Sequence, residues 1–203
     1  MKIICIGRNY SNHIDELGNE KPESPIIFLK PDTATLQKSF PFRIPPFSNQ
    51  IEHEVEVLVK ISRIGKFIDE KFAHKYYEEV GLGIDFTARD LQQSLKEKGL
   101  PWEKAKAFDG SALIGQWFDK NNFPDLNDLE FELAKNGLTV QEGNTSKMIW
   151  SIDALIAEIS QFFTLKIGDV IFTGTPAGVG FVAENDVLEG YLEGNKAFSV
   201  NIK

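Results

Sequence analysis

The sequence predicts an α+β protein built on mixed or antiparallel β-sheets. Three observations carry this expectation. Strand and helix signals do not alternate regularly, as a doubly wound parallel sheet would require. Residues 51–61 place apolar side chains at every second position, the period of a pleated strand. Asn136-Gly137, set between two apolar runs, is the strongest short signal for a hairpin.

The elements follow in order. Lys2 to Ile6 reads as a short buried strand. A short helix follows it, capped by Ser11 or Asn12 and ended by Gly18. After a loop marked by Pro22 and Pro25, Ile26 to Leu29 is a second buried strand, stopped at Lys30-Pro31. Residues 38–50, with three prolines, read as extended loop. In the strand Ile51 to Ile61, the faces are Ile51, His53, Val55, Val57, Val59, Ile61 and, opposite, Glu52, Glu54, Glu56, Leu58, Lys60. Asp69 to Glu79 reads as an amphipathic helix that buries Phe72, Tyr76 and Val80. Val80 to Phe86 is a strand, and Thr87 to Asp90 has the form of a capping box opening a helix that Gly99 ends. Phe131 to Val140 is the hairpin. Ser151 caps a helix with the stripe Ile152, Leu155, Ile156, Ile159, Phe162 and Phe163. Asp169 to Thr173 is a strand running into Gly174–Gly180, and strands near Val187–Leu192 and Phe198–Ile202 close the chain.

Composition excludes some roles. The 203 residues carry 22 Lys plus Arg against 30 Asp plus Glu, a formal net charge of −8. No basic excess exists to neutralise phosphates, so nucleic acid and anionic membranes are not expected partners. The lone Cys5 cannot form an intramolecular disulfide, which fits a reducing compartment. The apolar start is too short for a signal peptide, and no run approaches the ~18 apolar residues of a membrane helix. A soluble, cytoplasmic protein is expected.

Two groups of residues can carry chemistry. Glu54 and Glu56, two apart on a strand, leave the same face with Cα atoms ~7 Å apart. Asp85 closes an otherwise apolar strand, an expensive place for an acid unless it is paired or metal-bound. Three carboxylates make a hard oxygen site suited to Mg²⁺ or Mn²⁺. Glu52, Glu54 and Glu56 equally suit a solvated strand edge. His53 points to the other face and reads as a packed histidine. His13 and Glu16 share one face of the short helix, where a carboxylate can orient an imidazole for proton transfer. An ordinary surface pair has the same spacing. Gly174–Gly180 can present backbone N–H groups to an anion, or form a tight turn. Lys106 suits an oxyanion or a plain surface charge.

Taken together, the motifs resemble the fumarylacetoacetate hydrolase family, especially its short members: acylpyruvate hydrolases, oxaloacetate decarboxylases and 2-hydroxyhepta-2,4-diene-1,7-dioate isomerases. The matching segments are Gly7-Arg8-Asn9-Tyr10 with His13 and Glu16, Phe28-Leu29-Lys30-Pro31, His53-Glu54-Val55-Glu56, Gly83 to Asp90, Lys106-Ala107-Phe108-Asp109 and Gly174 to Gly180. Their order is specific where each alone is weak. The chain departs from the pattern at Gly110-Ser111, where many members carry Gly-Pro, and at Glu184-Asn185-Asp186, where a Gly-Asp turn is usual.

The resemblance implies one catalytic domain over residues 1–203, a rolled mixed β-sheet with flanking helices, and a homodimer. It implies Mg²⁺ or Mn²⁺ on Glu54, Glu56 and Asp85, a catalytic pair in His13 and Glu16 on a lid helix, and an active-site lysine in Lys106. Arg8, Lys30, Arg89, Gln92 and Thr175 match positions near the substrate. The implied activity is Mg-dependent cleavage of a C–C bond in 2,4-dioxo acids, giving pyruvate and a carboxylic acid. Oxaloacetate decarboxylation would use the same enolate. The isomerase reaction is an alternative, and a non-catalytic metal-binding module is a reading of another class.

Overall fold

The computed structural model describes residues 1–16 and 21–203, and the side chains of all of these but Ile14 and Asp15. The chain forms β1 (Ile3–Gly7), α1 (Ser11–Glu16), β2 (Ile26–Lys30), β3 (Ile51–His53), β4 (Val55–Ile61), α2 (Glu70–Ala73), β5 (Tyr77–Asp85) and β6 (Thr87–Ala88). It continues with α3 (Arg89–Glu97), α4 (Glu103–Lys106), β7 (Ala112–Asp119), β8 (Glu130–Lys135) and β9 (Leu138–Asn144). Last come α5 (Ile152–Phe162), β10 (Val170–Phe172), β11 (Gly180–Phe181), β12 (Val187–Leu192) and β13 (Asn195–Asn201). The expected stop of α1 at Gly18 lies outside the described residues.

Three sheets result. The largest runs β2-β1-β10-β4-β5-β7. Its one parallel pair is β1 with β10, and the other neighbours are antiparallel, so the sheet is mixed as expected. A four-stranded sheet runs β13-β12-β8-β9, and a small one runs β11-β3-β6. The hairpins of the four-stranded sheet turn through residues with positive φ: Asn136 and Gly137 at 55° and 80°, Glu193 and Gly194 at 49° and 71°. Those are the angles that a two-residue turn between twisted strands demands. The main core joins the large sheet to α5 and to β8, β12 and β13 through residues such as Val57, Leu82, Leu133, Leu155, Ile159 and Leu188.

Residues 51–61 do not form one strand. The run breaks at Glu54: β3 pairs with β6 and β11 in the small sheet, while β4 pairs with β5 and β10 in the large one. The neighbouring chain makes the same step at Phe86, between β5 and β6. The two steps are tied by Asp85 N–H donating to the Glu54 carbonyl at 2.9 Å. This junction leaves Glu54, Glu56 and Asp85 side by side.

Other boundaries also differ from expectation. Helix α2 is a single turn, not the run to Glu79, because Tyr77 to Asp85 are taken by the ladder with β4 and β7. Val80 is buried in that sheet, while Phe72 stays 45% exposed. Thr87 does not cap α3. It is a strand residue, and the N-cap Ala88 has no side-chain bond to offer. At the far end the sequence reading holds. Gly99 has φ +63°, with Gly99 N–H bonded to the Lys96 carbonyl and Leu100 N–H to the Leu95 carbonyl, a Schellman stop. Ser151 caps α5 by accepting from Ala154 N–H at 3.2 Å. Phe162, expected on its buried stripe, is 62% exposed, since Leu155, Ile156 and Ile159 already cover the core-facing arc. The final strand begins at Asn195, three residues before Phe198.

Candidate active site

Glu54, Glu56 and Asp85 each offer an oxygen within 4.8 Å of the others. All three are buried, as is Glu52, so the solvated-edge reading does not hold. Burial and the neighbouring charges of Asp85 and Glu54 push the Glu56 carboxyl well above its ordinary range. Its Oε2 accepts Gly174 N–H at 2.6 Å. Burial would also raise Glu54, but Lys106 and Arg89 outweigh it and hold that group far below its ordinary range.

Two lysines flank the acids. Lys106 sits at the end of α4 and is 4% exposed, which excludes a plain surface charge. Its Nζ donates to Glu54 Oε2 at 2.7 Å, Asp85 Oδ2 at 2.9 Å and Thr87 Oγ1 at 2.6 Å. Burial opposes its charge, yet Asp85 and Glu54 raise its proton affinity above the usual lysine value. Lys30 lies behind Asp85, with Nζ 2.7 Å from Oδ1 and further bonds to the Lys106 carbonyl and to Ser111. Ser111 belongs to the segment where the chain departs from the family's Gly-Pro. Its hydroxyl and carbonyl accept the lysine there.

The donor set fits a divalent cation. Three buried carboxylates converge within one small volume, and the mutual repulsion that raises Glu56 is what a bound cation would relieve. Asp85 Oδ1 accepts no hydrogen bond of proper geometry despite its contact with Lys30. Oxygen donors at this spacing are what Mg²⁺ or Mn²⁺ takes up.

His13 is 6% exposed, with Nδ1 3.1 Å from Glu16 Oε2. The pair is therefore not an ordinary surface pair. The other carboxylate oxygen of Glu16 accepts Gly178 N–H at 3.0 Å. The glycine loop thus presents N–H groups to carboxyl oxygens, and those belong to the chain's own Glu56 and Glu16. Gly174 and Gly178 have φ of +100° and +96°, and an added Cβ would stand 2.7 Å from Asn9 Cβ and 2.5 Å from the Val140 carbonyl. No other residue fits either turn.

Arg8, His13, Glu54, Glu56, Asp85, Arg89, Gln92, Lys106 and Thr175 line one pocket. Of the residues picked out from the sequence, Lys30 does not line it, and Glu16 stands behind His13. The free space is a cavity of about 50 Å³, room for a few waters or an ion. Arg89 is committed to the chain's own groups: Nε donates to Glu52 at 2.6 Å, Nη2 to Glu54 at 2.5 Å and Nη1 to Gln92 at 2.6 Å.

The sequence reading missed several participants. Lys96 and Trp102 also line the pocket. Lys96 follows Arg89 and Gln92 at i+7 and i+4 on α3, so helical periodicity would have found it. Gln141 had no signal. Its Oε1 faces His53 Nδ1 at 2.9 Å and accepts Val55 N–H at 3.1 Å, so both neighbours of Glu54 meet one oxygen. Its amide donates to Thr175 Oγ1 at 3.0 Å and to the Pro176 carbonyl at 3.1 Å. His53 is thus a packed histidine, and burial lowers its proton affinity.

Comparison with known proteins agrees with this architecture. The family model "Fumarylacetoacetate (FAA) hydrolase C-terminal" matches residues 2–201. The chain is 40% identical over 195 residues to the oxaloacetate tautomerase YcgM of Escherichia coli, covering 96% of this chain and 89% of that protein. It is 42% identical over 194 residues to a mitochondrial oxaloacetate decarboxylase of Dictyostelium discoideum, covering 95% and 89%. It superposes on fumarylpyruvate hydrolase from Pseudomonas aeruginosa, solved with Mn²⁺ and pyruvate, with TM-score 0.93 and 32% identity over 100% of this chain and 89% of that one. No helix among the described residues is long and apolar enough to cross a membrane. The chain belongs to the fumarylacetoacetate hydrolase family and is an enzyme of it.

Proposed function

We propose that the protein catalyses proton transfer at C3 of a short 2-oxo acid, interconverting the enol and keto forms of oxaloacetate. The observation that carries this reading is the meeting of an oriented imidazole and a buried carboxylate triad in one small pocket. Glu54, Glu56 and Asp85 would hold Mg²⁺ or Mn²⁺. The bound ion supplies Lewis acidity that draws electrons toward the 2-oxo group and favours its enolate form.

The remaining work falls to the chain. Glu16 accepts from His13 Nδ1, which fixes the tautomer and leaves Nε2 as the atom that exchanges a proton with the substrate. In the keto-to-enol direction Nε2 takes the proton from C3, O2 gains one from solvent, and the imidazolium returns its proton to solvent. The reverse direction returns a proton to C3. Lys106 adds a permanent positive charge near the developing oxyanion. Gly178 keeps Glu16 in place, and Gln141 positions Thr175 on the pocket wall. The tautomerase and decarboxylase names of relatives about 40% identical support oxaloacetate as the substrate.

The same dyad favours a second reading, acylpyruvate hydrolysis. There His13 Nε2 takes a proton from water, the hydroxide adds to C4, and the C3–C4 bond breaks. Its electron pair goes to the pyruvate enolate, and a carboxylic acid is the other product. The fumarylpyruvate hydrolase likeness supports it. Parallel assays separate the readings: loss of enol absorbance and release of pyruvate, each followed with oxaloacetate and with acetylpyruvate in the presence of Mg²⁺. Faster enol decay of oxaloacetate without matching pyruvate release is expected. Stoichiometric pyruvate from acetylpyruvate, with no effect on the oxaloacetate enol, would replace the first reading by the second.

A further inference from the structure

Gln141, on β9, is 2% exposed and uses its side-chain amide completely. Two backbone groups fix which end of the amide is which. Val55 N–H can only donate, so the atom 3.1 Å from it is the oxygen. The Pro176 carbonyl can only accept, so the atom 3.1 Å from it is the nitrogen. A flipped amide would set donor against donor at Val55 and acceptor against acceptor at Pro176. The second lone pair of the oxygen faces His53 Nδ1 at 2.9 Å. The second hydrogen of the nitrogen goes to Thr175 Oγ1 at 3.0 Å.

The polarity of Thr175 follows. Its Oγ1 accepts from Gln141, so its own hydrogen is directed elsewhere. Among the described residues no atom accepts that hydrogen. Thr175 is 3% exposed and lines the pocket with the three acids. A buried donor without an acceptor is costly unless a ligand supplies one. Thr175 also follows Gly174 directly, whose N–H holds Glu56 at 2.6 Å. The hydroxyl therefore belongs to the end of the pocket where the carboxylate triad stands. We infer that Gln141 is a positioning residue that commits the Thr175 hydroxyl as a hydrogen-bond donor to the carboxylate of the bound 2-oxo acid. The inference rests on the reading that the substrate's C1–C2 end meets the triad. A carboxylate at C1 only accepts, and it is present in both the keto and the enol form, so one fixed donor serves both.

The test is a double-mutant cycle read by binding. Pyruvate, which carries the C1–C2 end alone, is titrated into the Mg²⁺-loaded protein by calorimetry. The proteins are wild type, Thr175→Ser, Thr175→Val, Gln141→Leu and the double variant. A hydrogen bond to a charged group is worth roughly 10- to 100-fold in affinity. Thr175→Val should lose that factor while binding Mn²⁺ as wild type does, and Thr175→Ser should keep most of it. Gln141→Leu should weaken pyruvate too, because the hydroxyl is no longer held to one direction. The double variant should bind no more weakly than Thr175→Val alone. A merely structural role of Gln141 would instead make the two losses multiply. If Gln141→Leu does not fold, Gln141→Glu takes its place with the same expectation, since its second oxygen accepts from Thr175 and turns the hydroxyl away from the pocket. Multiplying losses, unchanged pyruvate binding in Thr175→Val or in the Gln141 variant, or no pyruvate binding by wild type would each overturn the inference. Enol decay of oxaloacetate is measured on the same samples. A coupled loss of pyruvate binding without enol turnover by wild type keeps the inference and removes the tautomerase reading. Turnover with multiplying losses does the reverse.

Discussion

The backbone N–H of Gly178 donates to Glu16 Oε1 at 3.0 Å, so the carboxylate that orients His13 is itself anchored to the glycine-rich loop. The same loop binds Glu56 through Gly174 N–H. One segment therefore sets both the proton-transfer pair and a member of the carboxylate triad.

Glu16→Gln should separate orientation from charge. The amide can keep the Gly178 bond through its oxygen but loses the anion beside the imidazole. Turnover should fall about 10- to 100-fold, within the range that acid–base assistance supplies. Divalent-metal affinity should stay unchanged. Steady-state kinetics with a parallel Mn²⁺ titration checks both.

Metal affinity should rise with pH. The Glu56 carboxyl, raised by burial and by Asp85 and Glu54, keeps its proton above the ordinary carboxylate range, and that proton competes with the cation. Binding should tighten as the pH rises beyond the ordinary carboxylate range and release a proton, while Glu56→Gln should weaken binding and flatten its pH dependence. Calorimetry in buffers of different ionisation enthalpy measures the proton released.

Lys30→Met should act on stability and metal affinity more than on KM. Lys30 is 2% exposed, contacts Asp85 and does not line the pocket. Its removal leaves Asp85 with Lys106 as its remaining cation, a loss of roughly 1–3 kcal/mol. Urea unfolding measures the loss. A stable variant with raised KM alone would place Lys30 at the substrate instead.

Gln141→Leu should cost about 2–4 kcal/mol, since it strands His53, Val55 N–H and Thr175 in a buried region. It should also raise KM, because Thr175 loses its anchor. Chemical denaturation and steady-state kinetics read the two effects separately.

Much of this was legible in the sequence, and the failures have physical causes. Period two placed Glu52, Glu54 and Glu56 on one face. It could not show the step at Glu54, because that break is created by a second sheet recruiting Ile51–His53. The helical pattern from Asp69 was overridden when Tyr77 and its successors paired with β4 and β7. The Thr87–Asp90 spacing imitates a capping box, but Asp90 instead accepts from Ser48 Oγ at 2.6 Å and Asn49 N–H at 3.0 Å. The family motifs pointed to Arg8, His13 and Lys106, and all three line the pocket. They could not tell that Lys30 supports Asp85 from behind. Gln141 lies far along the chain in a polar strand, and nothing local marks it.

The most direct test is the rate of enol decay of oxaloacetate in His13→Gln, measured with saturating Mg²⁺ beside wild type. Wild type should exceed the spontaneous rate. The variant should lose about 10²- to 10⁴-fold of that acceleration, the range of a positioned acid–base group, while binding Mn²⁺ as wild type does. An undiminished rate in His13→Gln would contradict proton transfer by the imidazole and leave the carboxylate-held ion to act alone.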